Sequence, residues 1–246
     1  ANDVDFSEQP YLWLGAPGVG GAAQPFKGKL VPYGNEYRFG YAQSANNEAR
    51  GLDFGAVLTD APDGRPRRVL LRGQGITTLS GGTYTGGIVV EGPAYLALIG
   101  PASLGAPTNL TLRGGAQANF KNSNVTYPAD LEIRNEGTNV LHSCGASAQV
   151  CTVFKGPITG WGKIRLTDQG GVRFTSASNT FTGTLELVND HRTYGIEIGI
   201  GDGANCSWKG DRIIQKNTTG GQNPSALTNN FVQVNCNDDF TLETDL

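Results

Sequence analysis

Short apolar runs that alternate with polar residues recur along this chain about every 20 residues, and that spacing limits the fold more than any other feature. They begin at Leu30, Leu52, Val69, Ile88, Leu110, Leu131, Ile164 and Leu185, so the steps are 22, 17, 19, 22, 21, 33 and 21 residues. The step of 33 contains the loop between Cys144 and Cys151 and reads as an insertion of about a dozen residues. Alternation with period two marks strands, and no run places apolar residues at i, i+3, i+4 and i+7 as a helix would. Gly, Asn, Asp, Ser and Thr fill the gaps as turn formers. Gly is 36 of 246 residues, about twice its usual share, as many turns require. A coil of some 20 residues is too thin to bury its own apolar side chains and must stack on the next. The expected fold is all-β, a parallel solenoid.

Stacking places strands of neighbouring coils ~4.8 Å apart, with every second side chain inside. Leu110 and Leu112, Leu131 and Ile133, Ile164 and Leu166, and Leu185 and Leu187 should form interior ladders, while Thr111, Glu132, Arg165 and Glu186 face outward. Arg165 and Glu186 should then pair across adjacent coils, a surface contact worth about 0.5 kcal/mol. A local motif repeats with the strands. Thr83-Tyr84-Thr85-Gly86 precedes one aliphatic run, Thr180-Phe181-Thr182-Gly183 precedes another, and Phe26-Lys27-Gly28 is a weaker copy. Gly permits a tight bend into the next strand, and Phe26, Tyr84 and Phe181 are expected to pack at equivalent corners. An aromatic sugar platform is the functional alternative, but aromatics that recur with the strand serve burial first.

The stretch from Gly73 to Gly115, GQGITTLSGGTYTGGIVVEGPAYLALIGPASLGAPTNLTLRGG, resembles the passenger-associated repeat of bacterial autotransporters and related surface proteins. The copy from Gly156 to Asp190 is similar to the same core with its lead-in, and the likeness runs from Phe26 to Asp190. It departs from the family pattern in lacking an Asn before Thr83 and in carrying four Cys. The resemblance implies a right-handed parallel β-helix and a role in surface display, adhesion or extracellular structure, with no catalytic residue or cofactor to carry over. On this reading residues 1–25 form an N-terminal segment, 26–195 the repeat region, and 196–246 irregular coils.

Composition narrows the partners. Net charge is −3, the sequence pI is about 5.4, and the 19 Lys and Arg are scattered along the chain. A nucleic-acid binder would show a clustered basic surface. No apolar stretch reaches the ~20 residues of a membrane span. Met is absent even at position 1, which predicts a processed, exported chain. Four Cys agree with an oxidising compartment. Of the three pairings open to them, Cys144–Cys151 and Cys206–Cys236 are the local ones and are expected to pin the two least regular segments. Zinc is disfavoured by the absence of CxxC spacing and the wide separation of His142 and His191.

The same scaffold can carry carbohydrate chemistry. A glycosidase needs two carboxylates ~5–10 Å apart across a groove, and Asp168, Glu186, Asp190 and Glu132 are the local candidates. Glu132 and Glu186 sit at ordinary outward strand positions, Asp168 and Asp190 in turn-like sequence, and His191 has no nucleophile signature beside it. The GDGAN at 201–205 and NCNDD at 235–239 offer oxygen ligands without calcium-loop spacing. The expectation is a structural protein, not an enzyme. An open solenoid exposes strand edges at its ends, and the apolar Tyr11, Leu12, Trp13 and Leu14 are candidates for an end-to-end contact that propagates into a filament, tube or surface layer. The alternative is an adhesin that binds cell-surface or matrix glycans through outward Trp13, Trp161 or Trp208; a polysaccharide-degrading enzyme ranks third.

Overall fold

Parallel pairing of short alternating strands organises the chain from the first run to the last. A computed structural model describes residues 3–15, 24–41, 51–106, 109–121, 125–134, 137–143, 151–167, 171–189, 195–198, 212–217, 231–234 and 241–245. Its strands stack in parallel ladders, as a β-solenoid does, and the one short helical piece among the described residues is the 3-10 turn Pro101–Leu104.

The first ladder joins Glu36–Tyr41, Arg68–Gly73, Ile88–Glu91, Asn109–Arg113, Asp130–Arg134 and the start of Ile158–Thr167. Val69 lies beside Ile88, Ile88 beside Leu110, Leu110 beside Leu131 and Leu131 beside Ile158. The second ladder runs from Gln24–Phe26 through Gly51–Phe54, Ile76–Leu79, Tyr95–Leu98, Gln117–Phe120, Thr138–Ser143 and the rest of Ile158–Thr167 to Thr182–Asn189, Arg212–Asn217 and Thr241–Asp245. A third ladder begins at Thr126–Tyr127 and continues through Cys151–Phe154, Gly171–Phe174, Gly195–Ile198 and Phe231–Val234. The ladders therefore persist beyond residue 196, where Leu185 is followed in register by Ile213 and Leu242.

Two expectations about register are corrected. Ile164 does not stack on Leu131; its neighbours are Asn139 and Leu185 on the second ladder, while Ile158 continues the first. The step of 33 thus spans two faces, and the true coil from Leu131 to Ile158 is 27 residues. Leu30 and Leu52 also leave the Val69 ladder: Leu30 pairs with Val4, and Leu52 lies on the second ladder beside Thr77. Alternation identified the strands but could not say which face each joins.

The interior is a continuous apolar cluster among the described residues. Val69, Leu71, Ile88, Val90, Leu110, Leu112, Leu131, Ile133 and Ile158 are buried from the first ladder, and burial of each such side chain contributes about 1.5–3 kcal/mol. Across from them, Phe120, Tyr127, Phe154 and Phe174 form an aromatic column, with Phe120 edge-on to Phe154 at 5.0 Å and Phe174 stacked on Phe154 at 5.5 Å. Tyr84 and Phe181 are fully buried, as expected of corner aromatics. The Tyr84 hydroxyl donates to the Ser103 carbonyl at 2.9 Å. Phe26 differs: it lies within the strand Gln24–Phe26, half-buried and stacked on Phe54 at 5.3 Å.

The repeated motif has a local latch. Asp60 accepts from the Arg67 and Thr85 amides at 2.8 and 2.9 Å and from the Thr85 hydroxyl at 2.8 Å. Gly87, at φ +81°, enters Ile88–Glu91 where a side chain would collide with Asn109, so only Gly serves there. Two buried Asn side chains act as backbone substitutes at other corners: Asn139 accepts from the Ala116 amide at 3.1 Å and Asn179 from the Ile158 amide at 2.9 Å.

Candidate functional site: the charged trough on the first ladder

The outward face of the first ladder carries charge in register. Successive coils place Arg72, Glu91, Arg113 and Arg134 in one file, each directly after the inward aliphatic run of its strand. Glu91 bridges Arg72 and Arg113. Beside this file, Glu36 takes the Arg38 guanidinium at 2.7 Å and also pairs with Arg68. Glu132 takes Arg134 at 2.9 Å and accepts from the Thr111 hydroxyl at 2.9 Å.

These side chains line two shallow hollows that share Arg113, Glu132 and Arg134 and so form one trough. The larger part, about 690 Å³, ends at Gly160 and the exposed indole of Trp161. The other part, about 570 Å³, reaches Tyr11 and Trp13. Trp13 lies against Gly40 and under the Arg72 guanidinium, 5.5 Å from its ring centre, a cation–π contact.

Electrostatics keep the carboxylates ionised. Partial burial pushes Glu36 upward, but hydrogen bonds from Arg68 and then Arg38 outweigh it and hold it below its ordinary value of 4.5. Glu132 is likewise raised by burial but lowered further by Arg134 and Thr111. A general acid needs the opposite shift. Because both folded values lie below the ordinary one, the stability these groups add is complete above pH 4.5 and drains away as pH falls through the lowered values. The urea midpoint should therefore fall between pH 5 and pH 3, and Glu132→Gln should shrink that fall. A drop of the same size in the variant would remove Glu132 from the acid response.

The remaining sequence candidates fall in several places. Arg165 and Glu186 pair at 2.7 Å as expected, and Lys163 joins them at 3.2 Å. Glu186 is not a solvated surface acid, however; its side chain is fully buried. A charge so placed must be paired, and removing its partner costs far more than breaking a surface contact. Thr111 is also covered, through its bond to Glu132. Glu132 and Glu186 lie on different ladders. Leu14 bridges to Phe39 of its own chain and exchanges backbone hydrogen bonds with Arg38 and Gly40 at 3.0 Å, so the Tyr11–Leu14 segment covers the edge of the first coil. Tyr11 and Leu12 are exposed. His142 meets Gln117 at 2.9 Å beside the Tyr95 ring.

Asp168, Asp190, His191, Trp208, Cys144, Cys206, Cys236 and the oxygen-rich stretches 201–205 and 235–239 lie outside the described residues, and Cys151 is described only as backbone. Among the described residues, no group of three His, Cys, Asp or Glu is placed to hold a metal ion, and no helix is long and apolar enough to cross a membrane. No family model, no curated protein and no solved structure matches the chain. The likeness to autotransporter passenger repeats accordingly bears on role only as a proposal.

Proposed function

We propose that the chain is an exported surface module of the adhesive kind, a rigid non-catalytic solenoid that presents a glycan-binding face. The observation that supports this reading is the trough, where the exposed Trp161 indole closes a file of guanidinium groups. Sugar rings offer an apolar face to an indole and hydroxyls to charged donors. The scaffold suits the task, because a trough built on paired strands holds its side chains more firmly than one built on loops. The resemblance to surface-display repeats and the presence of four Cys point to the same extracellular setting.

The fibre reading drew on Tyr11–Leu14 reaching a neighbouring subunit. Leu14 pairs with Phe39 of the same chain while Tyr11 and Leu12 stay exposed, and it is the trough that moves the weight to binding. On a glycan array the purified chain should retain at least one glycan class, and Trp161→Ala should weaken that binding about tenfold, the loss of ~1.4 kcal/mol of stacking. Retention of no glycan, or equal retention by the variant, would overturn the reading; regular filaments by electron microscopy would return it to self-assembly.

A further inference from the structure

Resting on the glycan-binding reading, we infer that the trough takes a linear polysaccharide rich in uronic acid, laid along the solenoid axis across Arg72, Arg113 and Arg134 with a ring stacked on Trp161. The direction follows from the backbone. The file of arginines runs from coil to coil, perpendicular to the strands, and the strands of the first ladder already hydrogen-bond to neighbours along that axis. A peptide laid there could not add itself as a strand. Recognition must come from side chains, which suits a polymer that offers a charge and a stackable ring in every few ångströms.

The sign of the ligand follows from depth. The side chains of Glu36, Glu91 and Glu132 are 16 to 29% exposed, whereas those of Arg68, Arg72, Arg113 and Arg134 are 39 to 56% exposed. The carboxylates lie beneath together with Arg38, which is 18% exposed, and the other four guanidiniums form the outer layer. Glu91 engages Arg72 through Nε and Nη2 and Arg113 through Nη2, yet each guanidinium has five N–H donors, so donors remain to face solvent. Five arginines against three glutamates make the trough locally positive on a chain whose net charge is −3. The guanidinium fork matches a carboxylate in two parallel hydrogen bonds, the pairing this face already uses with its own glutamates. Coils ~4.8 Å apart set the arginines at intervals of one to two coils, which a flexible uronate chain can follow.

Isothermal titration with alginate as the probe, against uncharged dextran and dextran sulfate, tests the inference on the full chain. Alginate should bind and dextran should not. Raising NaCl from 50 to 200 mM should weaken binding roughly 20-fold if three charges are neutralised. Arg113→Gln with Arg134→Gln should reduce affinity at least tenfold and flatten the salt dependence, while Trp161→Ala should reduce affinity without changing that slope. Should the double variant lose its far-ultraviolet circular dichroism, Arg134→Lys, which keeps the charge but not the fork, should still bind several-fold more weakly. Equal binding of dextran, insensitivity to salt, unaltered affinity in a folded arginine variant, or preference for dextran sulfate each overturns the uronate assignment. Dextran binding alone would leave the broader glycan reading standing, and silence from all three polymers together with an empty glycan array would end both.

Discussion

Phe154→Ala should lower the stability of the chain by about 3–5 kcal/mol, the range for removing a fully buried aromatic side chain. Phe154 is the middle of the aromatic column, in edge contact with Phe120, stacked on Phe174 and 6.1 Å from Tyr127. Its loss leaves a void faced by three rings from the two flanking coils, Phe120 and Tyr127 from one and Phe174 from the other. Those rings cannot all move inward, because each is fixed by a strand in register with its neighbours. The urea midpoint, followed by tyrosine and tryptophan fluorescence, gives the measurement. Val153→Ala provides the comparison: Val153, the neighbour of Phe154 in the same strand, is only half-buried, and the change should stay within about 1 kcal/mol. A midpoint for Phe154→Ala equal to that of Val153→Ala would mean the column does not hold the coils together.

Gly160→Ala should cost about 2–6 kcal/mol, from two causes that can be separated. Gly160 sits at φ +86°, where L residues are strained, and a methyl there would run into the Ile133 carbonyl oxygen of the coil below. Backbone strain contributes about 1–3 kcal/mol and overpacking about the same again. Gly34, at φ +56° with nothing within 4 Å of its place for a methyl, carries only the first cause. The difference in urea midpoint between Gly160→Ala and Gly34→Ala therefore isolates the close approach of the two coils. Equal losses would show that the coils separate freely at this point. Gly160 also lines the trough beside Trp161, so on the proposed glycan-binding reading its substitution should reduce binding even where the chain stays folded.

The stacked architecture was readable because physics writes it in every coil. Leu110 and Leu112 in register with Leu131 and Ile133 follow from alternation and spacing alone. The assignment of runs to faces was not readable, since Ile158-Thr159-Gly160 shows no aliphatic alternation and Ile164 does, although Ile158 is the residue that continues the first ladder. The trough was hidden for a related reason. Its arginines lie one or two coils apart in the sequence and counted there as scattered charge, yet Arg72, Arg113 and Arg134 each follow directly on an inward run. That recurring run-then-Arg pattern was the available signal, and it acquires meaning only once the coils are superposed. Asp60 left no such trace, because its partners Arg67 and Thr85 are joined to it by loop geometry and not by period.

The ten-residue strand Ile158–Thr167 has a mechanical consequence. It pairs below with Leu131–Ile133 on one ladder, through three residue pairs, and with Thr138–His142 on the other, through five. Tension applied between the two ends of such a rod would elsewhere peel one short rung at a time. Here a single unbroken piece of polypeptide spans both sides of the rod, so the two sides must yield together. The rung nearest the exposed indole is thus braced against shear on both sides at once.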